Sequence, residues 1–303
     1  MVITGRSASK LSLGRTIAPY AFILPPIAYL GVFMFWPLGR QLWMSLTNTR
    51  IINPNAGSFV GLRNYERLIQ DPAFYNSLGI TAIYTVASVL LGVTLGVIAA
   101  LAINRPFPGR SFARAVLLFG WAVPNVAAAL IWMWMYNGQS GVLNDMAVAL
   151  GVGRIAWLTS TQMALPSILI VTVWQVAPFV MLVVLAALQS VPDEIREAAR
   201  IDGADALNVF RSVTLPHIMP SVQLVALLVA VWSIRRFDII YLLTGGGPLE
   251  STSTLVVKIR QVAFENYQLG MASAYGVVGL VLALLVAAVH RLVEQRRLRW
   301  MAR

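Results

Sequence analysis

Few residues of this 303-residue chain can do chemistry, and several of them are set into apolar surroundings. Asn125 stands beside Pro124, and Gln175 lies between Trp174 and Pro178. Trp232, Ser233, Arg235, Arg236 and Asp238 fall within seven positions. Amides that exchange hydrogen bonds with hydroxyls, flat aromatic faces and a few charges can hold a polyhydroxylated solute without breaking a bond in it. Polar groups inside apolar segments are costly and are functional candidates for that reason. No nucleophile is paired with a base. Cysteine is absent, and the histidines, His217 and His290, stand apart near the ends of apolar runs, so no metal site is expected. No Gly-x-x-x-x-Gly-Lys-Ser/Thr loop occurs, which leaves the chain no visible means of binding ATP. Each candidate also has a plain structural use. Asn125 and Gln175 can bond across helices, Arg235 or Arg236 can pair with Asp238, and Trp132, Trp134 and Tyr136 read as an interfacial belt.

Composition says what kind of element holds these residues. Hydrophobic residues make up 58% of the chain and charged ones 12%, against about 25% charged in a soluble domain. Six apolar runs lie at about 17–38, 78–103, 113–136, 166–189, 220–243 and 271–289. Each is near the roughly 20 residues that cross the hydrocarbon core as a helix. Because no water satisfies the backbone there, a helix is the economical form for every run. The expected fold class is an all-α membrane protein of six transmembrane helices, one domain over residues 1–303. The first run follows Arg6, Lys10 and Arg15, is too long for a signal-peptide core and holds Pro25 and Pro26, so it reads as a retained span. In the second run, Gly92 and Gly96 form a pair that lets helices approach closely.

Six spans put both termini on one side of the membrane. More than half of the 23 basic residues belong to that side: Arg6, Lys10 and Arg15; Arg105, Arg110 and Arg114; Arg196, Arg200 and Arg211; and Arg291, Arg296, Arg297, Arg299 and Arg303. Short loops rich in Lys and Arg stay cytoplasmic, so both termini are expected inside. The net charge of +11 then reports topology and contact with anionic lipid rather than nucleic-acid binding.

The same topology places residues 191–219 on the cytoplasmic face. Ser190 followed by Asp193 predicts a capped helix start, with Pro192 in the first turn. The helix is expected to run to about Asp202, break at Gly203, and resume at Asp205 until Pro216 stops it. Charges of both signs share these helices with Ile195, Ile201, Leu207 and Phe210. That mixture suits an amphipathic element laid in a partner's groove, or an ordinary solvated loop helix. Among the other connections, Leu62–Ile69 and the segment "GVLNDMAVALGVG" read as short helices, and residues 245–270 open with "GGGP".

Spacing sharpens the cytoplasmic stretch. Glu197, Ala198 and Ala199 are followed after three residues by Gly203, after nine more by Val213, and then by Leu215 and Pro216. This resembles the EAA signature of permease subunits of ABC importers, with Val213 in place of the usual isoleucine. "FVGLRNYERLIQDPAFYNSLGITAIYT" from Phe59 looks like the segment before the second span of sugar permeases. "FDIIYLLTGGGP" (Phe237–Pro248, with Thr244, Gly245, Gly246, Gly247 and Pro248 as its outer end) is similar to the end of the fifth span in the first of two paired permeases. The resemblance is to the carbohydrate family of maltose and glycerol-3-phosphate type. It implies a type I importer permease fold in the plasma (inner) membrane of a bacterium or archaeon, and a non-catalytic subunit with no cofactor of its own. It also implies a second permease, two cytoplasmic ATPase subunits that bind ATP and Mg, and an extracytoplasmic substrate-binding protein. Residues 197–216 would then dock in a cleft of the ATPase.

The expected function is ATP-driven import of a sugar or oligosaccharide by alternating access. Arg235 and Arg236 keep glycerol-3-phosphate or a glycerophosphodiester as an alternative substrate. A stand-alone ion-coupled carrier is the competing class, and it lacks a buried carboxylate relay, since only Asp238 lies near a span interior.

Overall fold

Asp71 and Pro72 start the longest inner helix: the Asp71 carboxylate accepts from the Ala73 amide at 2.9 Å, and Pro72 takes the first position, where its missing N–H costs nothing. The computed structural model describes Tyr20 and residues 22–301, with side chains to Arg296. Arg6, Lys10, Arg15, the start of the first expected span, and the side chains of Arg297, Arg299 and Arg303 lie outside the described residues. The described chain is helical throughout, with two isolated β-bridges, Thr47 to Phe59 and Arg50 to Asn53. Its helices are α1 (Phe22–Ser45), α2 (Arg63–Gln70), α3 (Pro72–Asn104), α4 (Arg110–Ala122), α5 (Asn125–Met135), α6 (Val142–Ala149), α7 (Ala164–Gln189), α8 (Asp193–Ile201), α9 (Ala206–Ile234), α10 (Asp238–Thr244), α11 (Leu255–Arg260) and α12 (Leu269–Met301). Among the described residues, α1, α3, α7, α9 and α12 are long and apolar enough to cross a membrane, and α4 with α5 makes a sixth candidate.

The bundle is built on α3 lying along α7. Gly96 sets their separation: a Cβ there would sit 2.5 Å from Val180 Cβ and 2.8 Å from the Ala177 carbonyl oxygen. One end of the core joins Val180, Val184 and Leu188 of α7 to Ala100 and Ile103 of α3 and to Ile218 and Val225 of α9. The other joins Tyr84, Ile168 and Val171 to Ile239 and Ile240 of α10. There the Tyr84 and Thr172 hydroxyls share a hydrogen bond of 2.7 Å. Ile83, Leu90, Leu95 and Ile98 of α3 face outward, where lipid is as apolar as they are.

The expected third span, 113–136, is two helices bent by 98°. Pro124 has no N–H to continue the ladder and its ring crowds the carbonyl four residues back. Val123, ahead of it, is extended at φ −74°, ψ 128°. The expected fifth span, 220–243, differs at both ends. Pro216 does not stop the helix that precedes it, because a π-turn at Phe210–Thr214 shifts the hydrogen-bond register just before it and a residue without N–H is accommodated. At the other end the chain unwinds over Arg235–Phe237 and resumes as α10, with Asp238 favoured at the new helix N-terminus.

Ser190 is not the cap expected of it. Its hydroxyl donates to the Ala187 carbonyl at 2.8 Å and closes α7, while the extended Pro192 leads into α8. Tyr136 is no belt residue either: it is 3% exposed and its hydroxyl donates to the Ser167 carbonyl at 3.0 Å.

Candidate functional site: a polar cavity at two helix breaks

The breaks at Val123–Pro124 and at Arg235–Phe237 meet. Between them is a cavity of about 300 Å³ lined by Asn125, Trp232, Arg235, Arg236, Phe237 and Asp238. Asn125 Nδ2 donates to Asp238 Oδ2 at 3.2 Å. Behind the lining, Gln175 of α7 is 4% exposed. Its Nε2 donates to the Val123 carbonyl at 3.2 Å, and its Oε1 accepts from an Arg236 guanidinium nitrogen at 2.9 Å. Arg236 is half-buried and within electrostatic reach of Tyr84, whereas Arg235 is exposed at the cavity. The neighbouring arginines therefore differ in role: one is engaged by the bundle, and the other presents its charge.

An aromatic row leads to this cavity. Trp121 stacks on Phe179 at 5.8 Å, and Phe179 meets Trp232 at 5.0 Å. Trp121 and Phe179 are not among the sequence candidates, although each lies next to or near a helix-disturbing proline, Pro124 and Pro178, which is the signal that points to them. Of the seven candidates, Asn125, Gln175, Trp232, Arg235, Arg236 and Asp238 come together. Ser233 does not join them: it is 2% exposed and its carbonyl accepts from the Arg236 amide at 3.2 Å. Larger hollows, of about 490 Å³ beside Trp36, Arg40 and Trp43 and of about 540 Å³ beside Leu91, Trp132 and Trp174, do not lie at a helix break.

The "TGGGP" segment forms a hydrogen-bonded turn beyond α10. The Thr244 and Thr252 hydroxyls are 2.7 Å apart, and Thr252 Oγ1 lies 2.8 Å from the Gly247 carbonyl. Gly245 and Gly246 have positive φ, and the Gly247–Pro248 peptide is cis. Leu249, just after it, is 91% exposed.

At the opposite end, α8 buries none of its residues. The Ala204 amide donates to the Ala199 carbonyl at 3.0 Å and the Gly203 amide to the Arg200 carbonyl at 3.1 Å. With Gly203 at φ +86° this is a Schellman stop, so Ala199 and Gly203 of the EAA spacing close one turn together. Asp205 then caps the next helix by accepting from the Asn208 amide at 2.7 Å. Arg196 fixes α8 to the bundle: NH2 donates to the Leu188 carbonyl at 2.8 Å and NH1 pairs with Asp193 at 3.0 Å. Glu197 and Ala198 are exposed, as is Pro216, while Val213 and Leu215 are half-buried at the root of α9.

A helical bundle of membrane-spanning length that opens a polar cavity where two of its helices break, and that holds a short exposed helix at one end, is the architecture of a solute permease. The chain belongs to the family of binding-protein-dependent transport system inner membrane components, matched over residues 92–299. It is 37% identical to the trehalose/maltose transport system permease protein MalF of Thermococcus litoralis, over 93% of this chain and 95% of that one. It is 32% identical to the sulfoquinovosyl glycerol transport system permease protein SmoG of Agrobacterium fabrum, over 92% of this chain and 91% of that one. A chain of a bacterial ABC transporter involved in the import of the acidic polysaccharide alginate shares its fold, with a TM-score of 0.82 over 94% of this chain and 97% of that one at 22% identity.

Proposed function

We propose that this chain is one of two paired permeases in an ATP-driven saccharide importer. In this reading it has six spans, α4 with α5 forming the third and α9 with α10 the fifth, and both termini are cytoplasmic. The observation that carries the reading is α8, a helix that buries nothing while exposing Ile195 and, at 86%, Ile201, yet is held in place by Arg196. A charged helix with bare apolar side chains, rigidly mounted, suits a groove on a soluble partner. Two cytoplasmic ATPase subunits are that partner, and they bind the ATP and Mg. Their closure moves α8 and, through Val213, Leu215 and Pro216, the helix α9 that leads to the cavity. A second permease completes the pathway, and an extracytoplasmic binding protein delivers solute to the side of the "TGGGP" turn.

The cavity supports a neutral saccharide as the solute, with Trp232 as a flat face and Asn125 and Asp238 as hydroxyl partners. Arg235 supports a second reading, an acidic saccharide or glycerol-3-phosphate, because it is exposed at the cavity and its side chain makes no hydrogen bond or ion pair among the described residues.

The test uses the assembled complex. Glu197→Ala and Gly203→Val are expected to lower both uptake and binding-protein-stimulated ATP hydrolysis; unchanged values in both assays would overturn the docking role. Thermal stabilisation of the binding protein by neutral oligosaccharides, and not by glycerol-3-phosphate, decides between the two solutes. Uptake by this chain alone, driven by an ion gradient, would overturn the importer reading.

A further inference from the structure

The hydrogen bonds behind the cavity form a closed circuit. Val123 and Asn125 flank Pro124 at the first break, and Arg236 and Asp238 flank Phe237 at the second. Asn125 bonds to Asp238 at 3.2 Å, Arg236 to Gln175 at 2.9 Å, and Gln175 to Val123 at 3.2 Å. Two short pieces of backbone and three hydrogen bonds thus join the two helix breaks to each other and to α7.

Gln175 is the fixed point of this circuit. It is buried on the span with the largest buried share among the described residues. The first ladder bond of α5 returns to the Pro124 carbonyl, at 2.9 Å from Ala128 N, so the Val123 carbonyl is left outside the helix and receives Gln175 instead. Both ends of the amide are therefore committed to protein, and Gln175 is not among the residues that line the cavity. Helix breaks are where a span bends most easily, because the ladder there is already open. A side chain that bonds to two breaks at once biases both toward the arrangement in which it can reach them.

We infer that Gln175 is a positioning residue, a latch that ties both helix breaks to α7 and sets how readily the cavity changes shape, rather than a contact for the solute. The inference rests on the reading of this cavity as the transport pathway. With the latch intact, the breaks rearrange only when the rest of the complex drives them. Without it they rearrange spontaneously, and ATP hydrolysis runs ahead of transport.

The experiment compares the parent complex, reconstituted in lipid with its partner permease and ATPases, with Gln175→Leu. Where that variant does not assemble, Gln175→Met is used, which keeps the length of the side chain and loses both bonds. Basal ATP hydrolysis without the binding protein is expected to rise about fivefold, the scale of one net hydrogen bond. Solute moved per ATP is expected to fall, and KM for uptake to stay within about twofold of the parent. The paired exchange Gln175→Arg with Arg236→Gln restores donors toward both Val123 and position 236, and is expected to bring the basal rate back. A KM shift of about tenfold with an unchanged basal rate would make Gln175 a solute contact and overturn the latch. So would unchanged coupling, or an exchange that restores nothing. Trp232→Ala, measured alongside, keeps the two readings separable: if its KM matches the parent, the pathway reading falls while the latch is still judged on the basal rate.

Discussion

Asn125 and Asp238 are 113 residues apart in sequence, yet the Asn125 amide donates to the Asp238 carboxylate at 3.2 Å. Each is the first residue of a helix that follows a break, α5 and α10. The pair therefore fixes the relative position of two helix N-termini whose orphan amides and dipoles already favour negative charge between them. Asp238 has two reasons to be there, one for each helix.

Replacing Asp238 by Ala removes both. A hydrogen bond to a charged group contributes about 1.5–3 kcal/mol, and the exposure of this pair argues for the lower end. Uptake by the complex is expected to fall about tenfold in Asp238→Ala. Asp238→Asn retains an acceptor for Asn125 and is expected to recover most of the rate. Initial rates of solute uptake check this, and equal losses in the two variants would show that charge rather than the Asn125 bond is what counts.

The helix contact that carries the bundle gives a second prediction. At Gly96 a Cβ would meet Val180 Cβ at 2.5 Å and the backbone at Ala177, neither of which can yield; at Gly92 the nearest atom is the Val176 Cγ1 at 3.3 Å. Overpacking costs about 1–3 kcal/mol. Gly96→Val is expected to lower the thermal midpoint of the detergent-solubilised protein by about 5 °C or to abolish its assembly, and Gly92→Ala to move it little. The ordering of the two variants is the readout.

At Gly203 the backbone alone decides which residue fits. Its φ is +86° and no atom lies within 4 Å of the place a Cβ would take, so nothing steric opposes a side chain. A left-handed conformation costs an ordinary L-residue about 1–2 kcal/mol. Gly203→Ala is therefore expected to loosen the stop after α8 and to reduce stimulated ATP hydrolysis severalfold, with Gly203→Asn milder because asparagine tolerates this region. Equal ATP hydrolysis in the Ala and Asn variants would show that the turn's conformation is not what couples.

Much of this is legible in the sequence, for identifiable reasons. Apolar runs of membrane length announce helices because a single segment in lipid satisfies its own backbone only as a helix. Pro124 announces an opening in its span, and Gly203 with Asp205 announces a stop and a restart, since each of these residues has a backbone preference strong enough to act locally. The break at Arg235–Phe237 carries no proline or glycine, and the bond that Arg236 makes there to Gln175 spans 61 positions, which no local rule can see. Continuation of α9 through Pro216 depends on a π-turn, a change of register that leaves no mark in composition. Helix α11 leaves little trace either, because it is short and sits among polar residues, held by its amide at Leu255 donating to Thr81 of α3 at 2.9 Å. Ser190 misleads because a serine three residues before an acid also occurs where one helix ends.

Arg196 connects the two ends of the mechanism and gives the last prediction. One guanidinium nitrogen donates to the Leu188 carbonyl in the last turn of α7, where orphan carbonyls favour a cation, and another pairs with Asp193 at the start of α8. The same side chain thus seals the span that bears Gln175 and braces the helix proposed to meet the ATPase. Arg196→Ala removes the side-chain hydrogen bond that ties α8 to α7, and the loss of its partner at Leu188 costs about 1–2 kcal/mol. Arg196→Lys keeps the charge but cannot reach both acceptors with one fork of donors. If α8 works as a rigid lever, stimulated ATP hydrolysis and uptake fall together in Arg196→Ala, by about tenfold, and Arg196→Lys recovers only a part. If α8 served only as a tether, binding of the ATPase subunits would weaken while each assembled complex kept the parent's ratio of solute to ATP. Measuring that ratio at saturating ATPase subunit separates the two, and the geometry at Leu188 and Asp193 points to the lever.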